Sequence, residues 1–337
     1  MQVTIGLAQT KHPEDGDVIA LVERFAAEAR SRRVDVLVFP ESLMSRYEKE
    51  AEAFVREAEP ADGAFSTALD AIAARYGLWM VYTLNERNPQ GNPFNTAIIV
   101  DSTGTKRGIY RKIHLFDTDF THESDRMSAG SALFEPIDTP FGKIGLAICY
   151  DLRFPEQARA AALAGCDILI YPAAWVSGNT KAEQWHTLLA ARAIENEMFV
   201  VGVSRADEGY IGQSAVANPY GILVAQGGTG EELVTATIDT SLREEALSPT
   251  STKGDKLPGR SHLLVDAVPR GAVCEVFGDS ESALTSQPKA SSTSRSRTPA
   301  CSDNHAARAP APHRSRSVSC ACAAQAQLPP TNTPHVA

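Results

Sequence analysis

The sequence predicts an α/β fold with mixed sheets, and three observations carry that prediction. Short β-branched and apolar runs alternate with Ala-rich stretches at helical spacing over residues 1–245. Some runs are joined by hairpin-type turns and others by helical stretches, which makes the sheets mixed rather than purely parallel. After about residue 245 the alternation stops and the composition changes.

The elements follow in order. Val3–Ala8 reads as a strand. Val18–Arg33 reads as a helix, because Ile19, Val22, Phe25, Ala26 and Ala29 fall on one face. Val34–Phe39 is a near-continuous apolar run, as expected of a strand covered on both faces. Phe65–Tyr76 is a helix and Leu78–Tyr82 a strand. Thr96–Val100 and Thr105–Tyr110 flank Ser102-Thr-Gly104, a hairpin signal. Ile144–Ile148 is a strand, Glu156–Ala164 a helix, Asp167–Tyr171 a strand and Ala182–Asn196 a helix. Phe199–Ser204, Ala215–Ala217, Ile222–Ala225 and Val234–Ile238 complete the set of strands. No internal repeat with a solenoid period is evident.

Residues 286–337 contain no Ile, Phe, Tyr or Trp, and six cations (Lys289, Arg295, Arg297, Arg308, Arg314, Arg316) face only Asp303. Such a segment cannot bury enough apolar surface to offset its ordering entropy, so it is predicted to be a disordered, low-complexity tail. Residues 246–285 form a poorly defined extension, with one apolar patch at Leu263, Leu264 and Val265. The domain prediction is therefore 1–245, 246–285 and 286–337.

With 337 residues, 43% hydrophobic and 22% charged, the chain can bury a sizeable core. A formal charge of −9 argues against a nucleic-acid groove. No apolar run approaches a membrane span, and the first residues, MQVTIGLAQTKHPEDG, resemble neither a secretory signal nor a transit peptide. The six cysteines form no metal-ligand spacing and no disulfide framework, although Cys320 and Cys322 make a lone CxC. A cytoplasmic setting and no metal are the expectation.

Three strand ends could carry chemistry. Lys143-Ile-Gly-Leu-Ala-Ile-Cys149 delivers a thiol at the end of a strand, just before a turn and a helix. Ligands bind at that position in open α/β sheets, and a thiol is a strong intrinsic nucleophile. Taken alone, Cys149 also reads as a core cysteine. Val36-Leu-Val-Phe-Pro-Glu41 ends a strand with a carboxylate that could act as a general base. Lys112, in Tyr110-Arg-Lys-Ile-His-Leu-Phe-Asp117, could stabilise an oxyanion and bias the thiol toward thiolate. Taken alone, Glu41 reads as a strand-end glutamate that is solvated or caps a helix, and Lys112 as a surface lysine.

Together the three segments are far more specific. Phe-Pro-Glu41, Arg-Lys112-Ile-His-Leu-Phe and Cys149-Tyr-Asp-Leu-Arg-Phe-Pro-Glu156 resemble, in order and spacing, the signatures of the nitrilase superfamily of carbon–nitrogen hydrolases. The resemblance covers roughly residues 2–245 and includes Trp185-His-Thr-Leu-Leu-Ala-Ala-Arg-Ala-Ile-Glu195-Asn196. Arg-Lys-Ile-His-Leu-Phe-Asp117 and Glu123-Ser-Asp-Arg-Met-Ser-Ala-Gly130 resemble the Nit-type branch, which holds the omega-amidases and the deaminated-glutathione amidases.

The resemblance implies a four-layer αββα sandwich, pairing as a homodimer or higher oligomer, with no cofactor. It implies Cys149 as nucleophile, Glu41 as general base, and Lys112 with the Tyr150 backbone N–H as oxyanion donors. Glu123 would be a supporting glutamate. The expected reaction is ammonia release from a small carboxylated amide through a cysteine thioester. An omega-amidase acting on 2-oxoglutaramate comes first and deaminated glutathione second, while nitrile and N-carbamoyl hydrolysis share the same triad. Acid–base work by Glu41 is expected to need a raised pKa, supplied by a dry pocket shared with other carboxylates.

Tyr47, Arg153 and Trp175 are candidate substrate-binding residues, with Arg153 alternatively paired to Asp151 or Glu156. A Cys–His dyad through His114 is the competing constellation. His114 is read instead as a hydrogen-bonded structural residue. Cys166 is read as packing. Two departures from the family pattern stand out. Leu242–Leu247 begins a terminal helix, but Ser248-Pro-Thr-Ser-Thr-Lys-Gly-Asp255 does not continue the pattern, as a shifted reading frame would produce. Gln213 stands where many Nit-type members have His. A non-catalytic interaction protein that docks through the basic tail is the alternative of another class.

Overall fold

The computed structural model describes residues 1–45, 53–119 and 121–247. Along the chain it forms β1 (Gln2–Gln9), α1 (Val18–Ser31), β2 (Val36–Val38), α2 (Ala53–Arg56), α3 (Ala64–Tyr76), β3 (Trp79–Glu86), β4 (Phe94–Val100) and β5 (Lys106–Arg111). It continues with β6 (Ile137–Thr139), β7 (Gly142–Leu146), α4 (Pro155–Leu163), β8 (Ile168–Ala173), α5 (Lys181–Asn196), β9 (Phe199–Ser204), β10 (Ala215–Ala217), β11 (Leu223–Gln226), β12 (Glu232–Asp239) and α6 (Ser241–Leu247).

These strands build two six-stranded sheets, ordered β12-β1-β2-β3-β4-β5 and β11-β10-β9-β8-β7-β6. Both are mixed. β1, β2 and β3 run parallel, as do β7, β8 and β9, and antiparallel strands flank each set. The sheets pack face to face. Val3, Ile5, Leu7, Val36, Val38, Val81 and Ile99 of the first share one core with Ile144, Leu146, Ile168, Ile170, Val201 and Val203 of the second. Trp185, Leu189 and Ala193 of α5 extend that core over the second sheet's other face. A separate core joins Val22, Phe25, Ala26 and Ala29 of α1 and Leu69, Ile72 and Ala73 of α3 to Leu37, Met80, Tyr82 and Ile98 of the first sheet. The result is the expected αββα sandwich. Each fully buried Leu, Ile, Val or Phe contributes about 1.5–3 kcal/mol to it.

Local chemistry fixes the element ends. Asp17 caps α1, its carboxylate accepting from the Ala20 N–H at 2.9 Å. Gly77 ends α3 in the left-handed conformation at φ +63°. The β4–β5 hairpin turns where expected, with Gly104 at φ +78°. A Cβ there would lie 2.5 Å from the Asp70 carbonyl oxygen, so the position requires glycine.

Several boundaries move. The ladder over 34–39 shortens to Val36–Val38, and the strand expected over 144–148 ends at Leu146, leaving Ala147 and Ile148 to lead into a turn. β4 starts two residues early, at Phe94, which takes Asn95 into the sheet. The short elements β6 and α2 carry too few residues to show a period, and the sequence did not reveal them. The terminal helix expected at Leu242–Leu247 forms as α6. The extension beyond residue 247, with the tail and the reading-frame question, lies outside the described residues.

Candidate active site

Three loops at the carboxyl ends of strands converge between the sheets. After β2, the Phe39 N–H still bonds to the Val81 carbonyl at 2.8 Å, and Pro40 then turns the chain so that Glu41 points inward and is buried. Lys112 directly follows β5, and its backbone N–H bonds to the Asn95 carbonyl at 2.8 Å, so it stays in register with β4. Cys149 opens a 3₁₀ turn, Cys149–Arg153, with φ +44°. A non-glycine residue held there costs about 1–3 kcal/mol, which the surroundings must supply.

Asp151, fully buried, holds that turn. Its Oδ2 accepts from the Ile148 N–H at 2.8 Å and the Tyr110 hydroxyl at 2.7 Å. Its Oδ1 accepts from the His114 N–H at 3.1 Å and lies 2.7 Å from His114 Nδ1. The His114 ring stacks on Phe154 at 3.6 Å. His114 is thus the structural residue the sequence suggested, committed to the carboxylate that shapes the turn.

Lys112 is 2% exposed and sits between two carboxyl groups. Its Nζ donates to Glu41 Oε1 and Glu123 Oε2, each at 2.8 Å. Asn95 Nδ2 bridges the same pair, at 2.8 Å to Glu41 Oε1 and 3.2 Å to Glu123 Oε1. Backbone donors complete the shell: Ala174 N–H to Glu41 Oε2 at 2.8 Å and Phe116 N–H to Glu123 Oε2 at 2.7 Å. Asn95 and the two backbone amides are what sequence reasoning missed. The signal for Asn95 was a carboxamide inside the strongly apolar run Phe94–Val100, where an amide needs a buried partner. A backbone N–H has no signal, since every non-proline residue carries one.

The protonation states differ from expectation. Burial pushes the Glu41 carboxyl up, but the adjoining Lys112 ammonium, with hydrogen bonds from Lys112, Cys149 and Ala174, outweighs burial and holds it below its ordinary 4.5. The expected raised pKa is therefore not found, because each proton donor facing Glu41 favours its charged form. Burial pushes Lys112 down, but Glu123, Glu41 and Cys149 raise it well above 10.5. Cys149 is raised well above 9.0, first by burial and then by the Glu41 charge, against which Lys112 is the weaker influence. Both directions run against the expected bias toward thiolate, since burial and the Glu41 charge disfavour a second anion beside it.

These groups floor a cavity of about 540 Å³. Phe116, Tyr150, Arg153, Trp175, Lys181 and Tyr210 form much of its wall. Arg153 pairs with neither Asp151 nor Glu156, contrary to the expected ion pair. Its Nη2 donates to Gln184 Oε1 at 2.7 Å, and its guanidinium lies 5.0 Å from the Trp175 ring and 5.9 Å from the Tyr150 ring. Asp151 is not available to it, being saturated by Tyr110, His114 and Ile148. Tyr47 lies outside the described residues. Gln213 does not line the cavity; its carbonyl accepts from Trp185 Nε1 at 3.0 Å. Cys166 packs against the second sheet, with its thiol pushed up to about 12 by burial. No described helix is long and apolar enough to cross a membrane.

Comparison with known proteins agrees with this geometry. A family model described as carbon–nitrogen hydrolase matches residues 3–246. The deaminated glutathione amidase of Escherichia coli O157:H7 is 34% identical over 212 residues, 63% of this chain and 80% of that protein. Human omega-amidase NIT2 is 34% identical over 225 residues, 64% of this chain and 80% of that one. The crystal structure of Saccharomyces cerevisiae Nit3, a member of branch 10 of the nitrilase superfamily, superimposes with a TM-score of 0.65 at 30% identity, covering 74% of this chain and 96% of that one. With a shared fold, the sequence match across the domain and a buried Glu–Lys–Cys cluster at its centre, the chain belongs to the carbon–nitrogen hydrolase family, as an amidase of the Nit-type branch.

Proposed function

We propose that the chain hydrolyses a small carboxylated amide through a Cys149 thioester, with residues 1–245 as the catalytic domain. The observation that carries the reading is the burial of Cys149, Glu41 and Lys112 side by side on the floor of one cavity, with the Lys112 Nζ 2.8 Å from Glu41 Oε1. A base already bonded to its nucleophile can take the proton as attack occurs, so no preformed thiolate is needed.

Cys149 Sγ attacks the amide carbon while its proton passes to Glu41. The developing oxyanion is met by Lys112 and by the Tyr150 backbone N–H. Lys112 spends two of its three N–H donors on Glu41 and Glu123 in the resting site, and the third serves the oxyanion. Glu123 and Asn95 hold the ammonium in place. Collapse breaks the carbon–nitrogen bond, and the Glu41 proton leaves with ammonia. Water then attacks the thioester and gives a proton to Glu41. The acid departs, and the proton returns to sulfur. Amide and water have become acid and ammonia, and the enzyme is regenerated.

Arg153, bonded to Gln184 and lying over the Trp175 ring, anchors the substrate carboxylate. The first-choice substrate is an omega-amide of a 2-oxo dicarboxylic acid such as 2-oxoglutaramate. Deaminated glutathione is the second, favoured by a cavity larger than a five-carbon acid requires; as a secondary amide it would take the Glu41 proton on a departing amine in place of ammonia. A cytoplasmic homodimer is the expected working form. Ammonia release from a panel of amides and nitriles, by wild type and Cys149→Ala in parallel, tests the reading. Release from a carboxylated amide that the substitution abolishes supports it; release that survives the substitution overturns it.

A further inference from the structure

The chemical floor of the cavity is balanced internally: the Lys112 ammonium is shared by Glu41 and Glu123. The wall is not. It carries two more cations, Arg153 and Lys181, and neither pairs with a carboxylate among the described residues. Arg153 spends one N–H on the neutral Gln184. The Lys181 ammonium lies 6.0 Å from the Phe116 ring centroid. Phe116 and Tyr150 pack edge to face at 5.1 Å, and Arg153 stands over Tyr150, so the two cations flank one aromatic wall. Trp175 ties the corner together, since its ring lies under Arg153 and its Nε1 donates to the Lys181 carbonyl at 3.0 Å. Among the described residues, one carboxylate lines the same cavity outside the floor, Glu208, which is exposed and bonds to neither cation.

A half-buried cation gains most when an anion arrives to meet it, and two such cations in one cavity fit a substrate with two anionic groups. Building on the amidase reading above, we infer that Lys181 is a specificity-determining residue that selects amides carrying a second carboxylate in addition to the one met by Arg153. The cavity volume agrees: about 540 Å³ exceeds what a short monocarboxylic amide fills. The second carboxylate can belong to the acyl chain or to the departing amine, and both sources present the same group to the ammonium.

The test compares three probes on the full chain: glutaramate, which has one carboxylate; a glutaramate bearing a second carboxylate on its acyl chain; and N-glutarylglycine, whose second carboxylate leaves with the amine. Amine or ammonia release gives kcat/KM for each in wild type, Lys181→Met and Lys181→Arg. The readout is the ratio of each dianion to glutaramate within one variant, which does not depend on the folded fraction. Methionine keeps the apolar stem and the helix propensity of lysine, so the first turn of α5 is retained.

Wild type is expected to favour at least one dianion, and the probe it favours identifies the source of the second group. Lys181→Met should lower that ratio about fivefold or more, through KM, and Lys181→Arg should restore most of it. The wild-type ratio should also fall with added salt, and that dependence should flatten in Lys181→Met. An unchanged ratio in Lys181→Met, or no dianion preference in wild type while glutaramate is hydrolysed, overturns the inference and leaves the amidase reading intact. Failure of wild type on all three probes counts against both.

Discussion

The floor and the wall of the cavity are built on opposite principles. On the floor each charge is matched: Lys112 lies between Glu41 and Glu123, and Asn95 and two backbone amides complete the donors to their carboxyl oxygens. On the wall, Arg153 and Lys181 lie over aromatic rings and, among the described residues, pair with no carboxylate. A matched set is fixed in place before substrate arrives, so it can do chemistry at a set geometry. An unmatched set is completed by the ligand, so it decides what binds. The two regions meet at Cys149 and Tyr150, where the reacting bond would lie.

The largest effect that separates them is removal of the nucleophile. Cys149→Ala should lower ammonia release by about 10⁴-fold or more while unfolding stays within about 1 kcal/mol of wild type, measured by steady-state assay and urea titration. Breaking the balance of the floor comes next. Lys112→Met leaves two buried carboxyl groups facing each other and should cost about 3–5 kcal/mol of stability, read from the shift of the urea midpoint. No wall substitution should approach that cost.

Two pH experiments sharpen the comparison. The folded Glu41 pKa lies below 4.5, so its base form persists as pH falls to that value. The acid limb of kcat/KM should therefore be centred below pH 4.5; a limb centred above pH 5 would contradict the site. By the same shift Glu41 contributes stability that is present above its unfolded pKa and lost as pH falls through the lower folded one. On the alkaline side, Cys149 lies well above 9.0. Alkylation by iodoacetamide should keep rising through pH 9, and a plateau below pH 8 would mean a resting thiolate. The smallest effect belongs to the wall. Arg153→Lys loses the guanidinium over the Trp175 ring and the bond to Gln184, and should raise KM about tenfold with kcat changed much less.

How much of this was legible follows from the kind of signal each part leaves. Strands such as Phe199–Ser204 and helices such as Ala182–Asn196 write their periods over six or more residues, and those elements fall within a residue or two of expectation. β6 is three residues long and has no period to show. Glu41, Lys112 and Cys149 could be found because each ends an apolar run, and their joint spacing carries the family resemblance. Asn95 hid because it precedes the stretch that had been read as strand. The charge states were misread for a different reason: they depend on which groups face one another across the two sheets, and spacing along a chain does not contain that. Nearness in sequence likewise offers Arg153 the carboxylates of Asp151 and Glu156, whereas Asp151 is taken by Tyr110, forty-one residues away.

The pairing of β1 with β12 has a consequence for how the chain assembles. Residues 2–9 are zipped along their whole length to residues 232–239 in antiparallel register. A ribosome must deliver the entire domain before that ladder can close. Until then one side of β1 has unpaired backbone amides and carbonyls, a template for any other nascent chain. The first sheet is therefore completed late, at high sequence separation, and slow closure is expected on that account. A break in synthesis before residue 232 would leave an aggregation-prone fragment rather than a smaller enzyme.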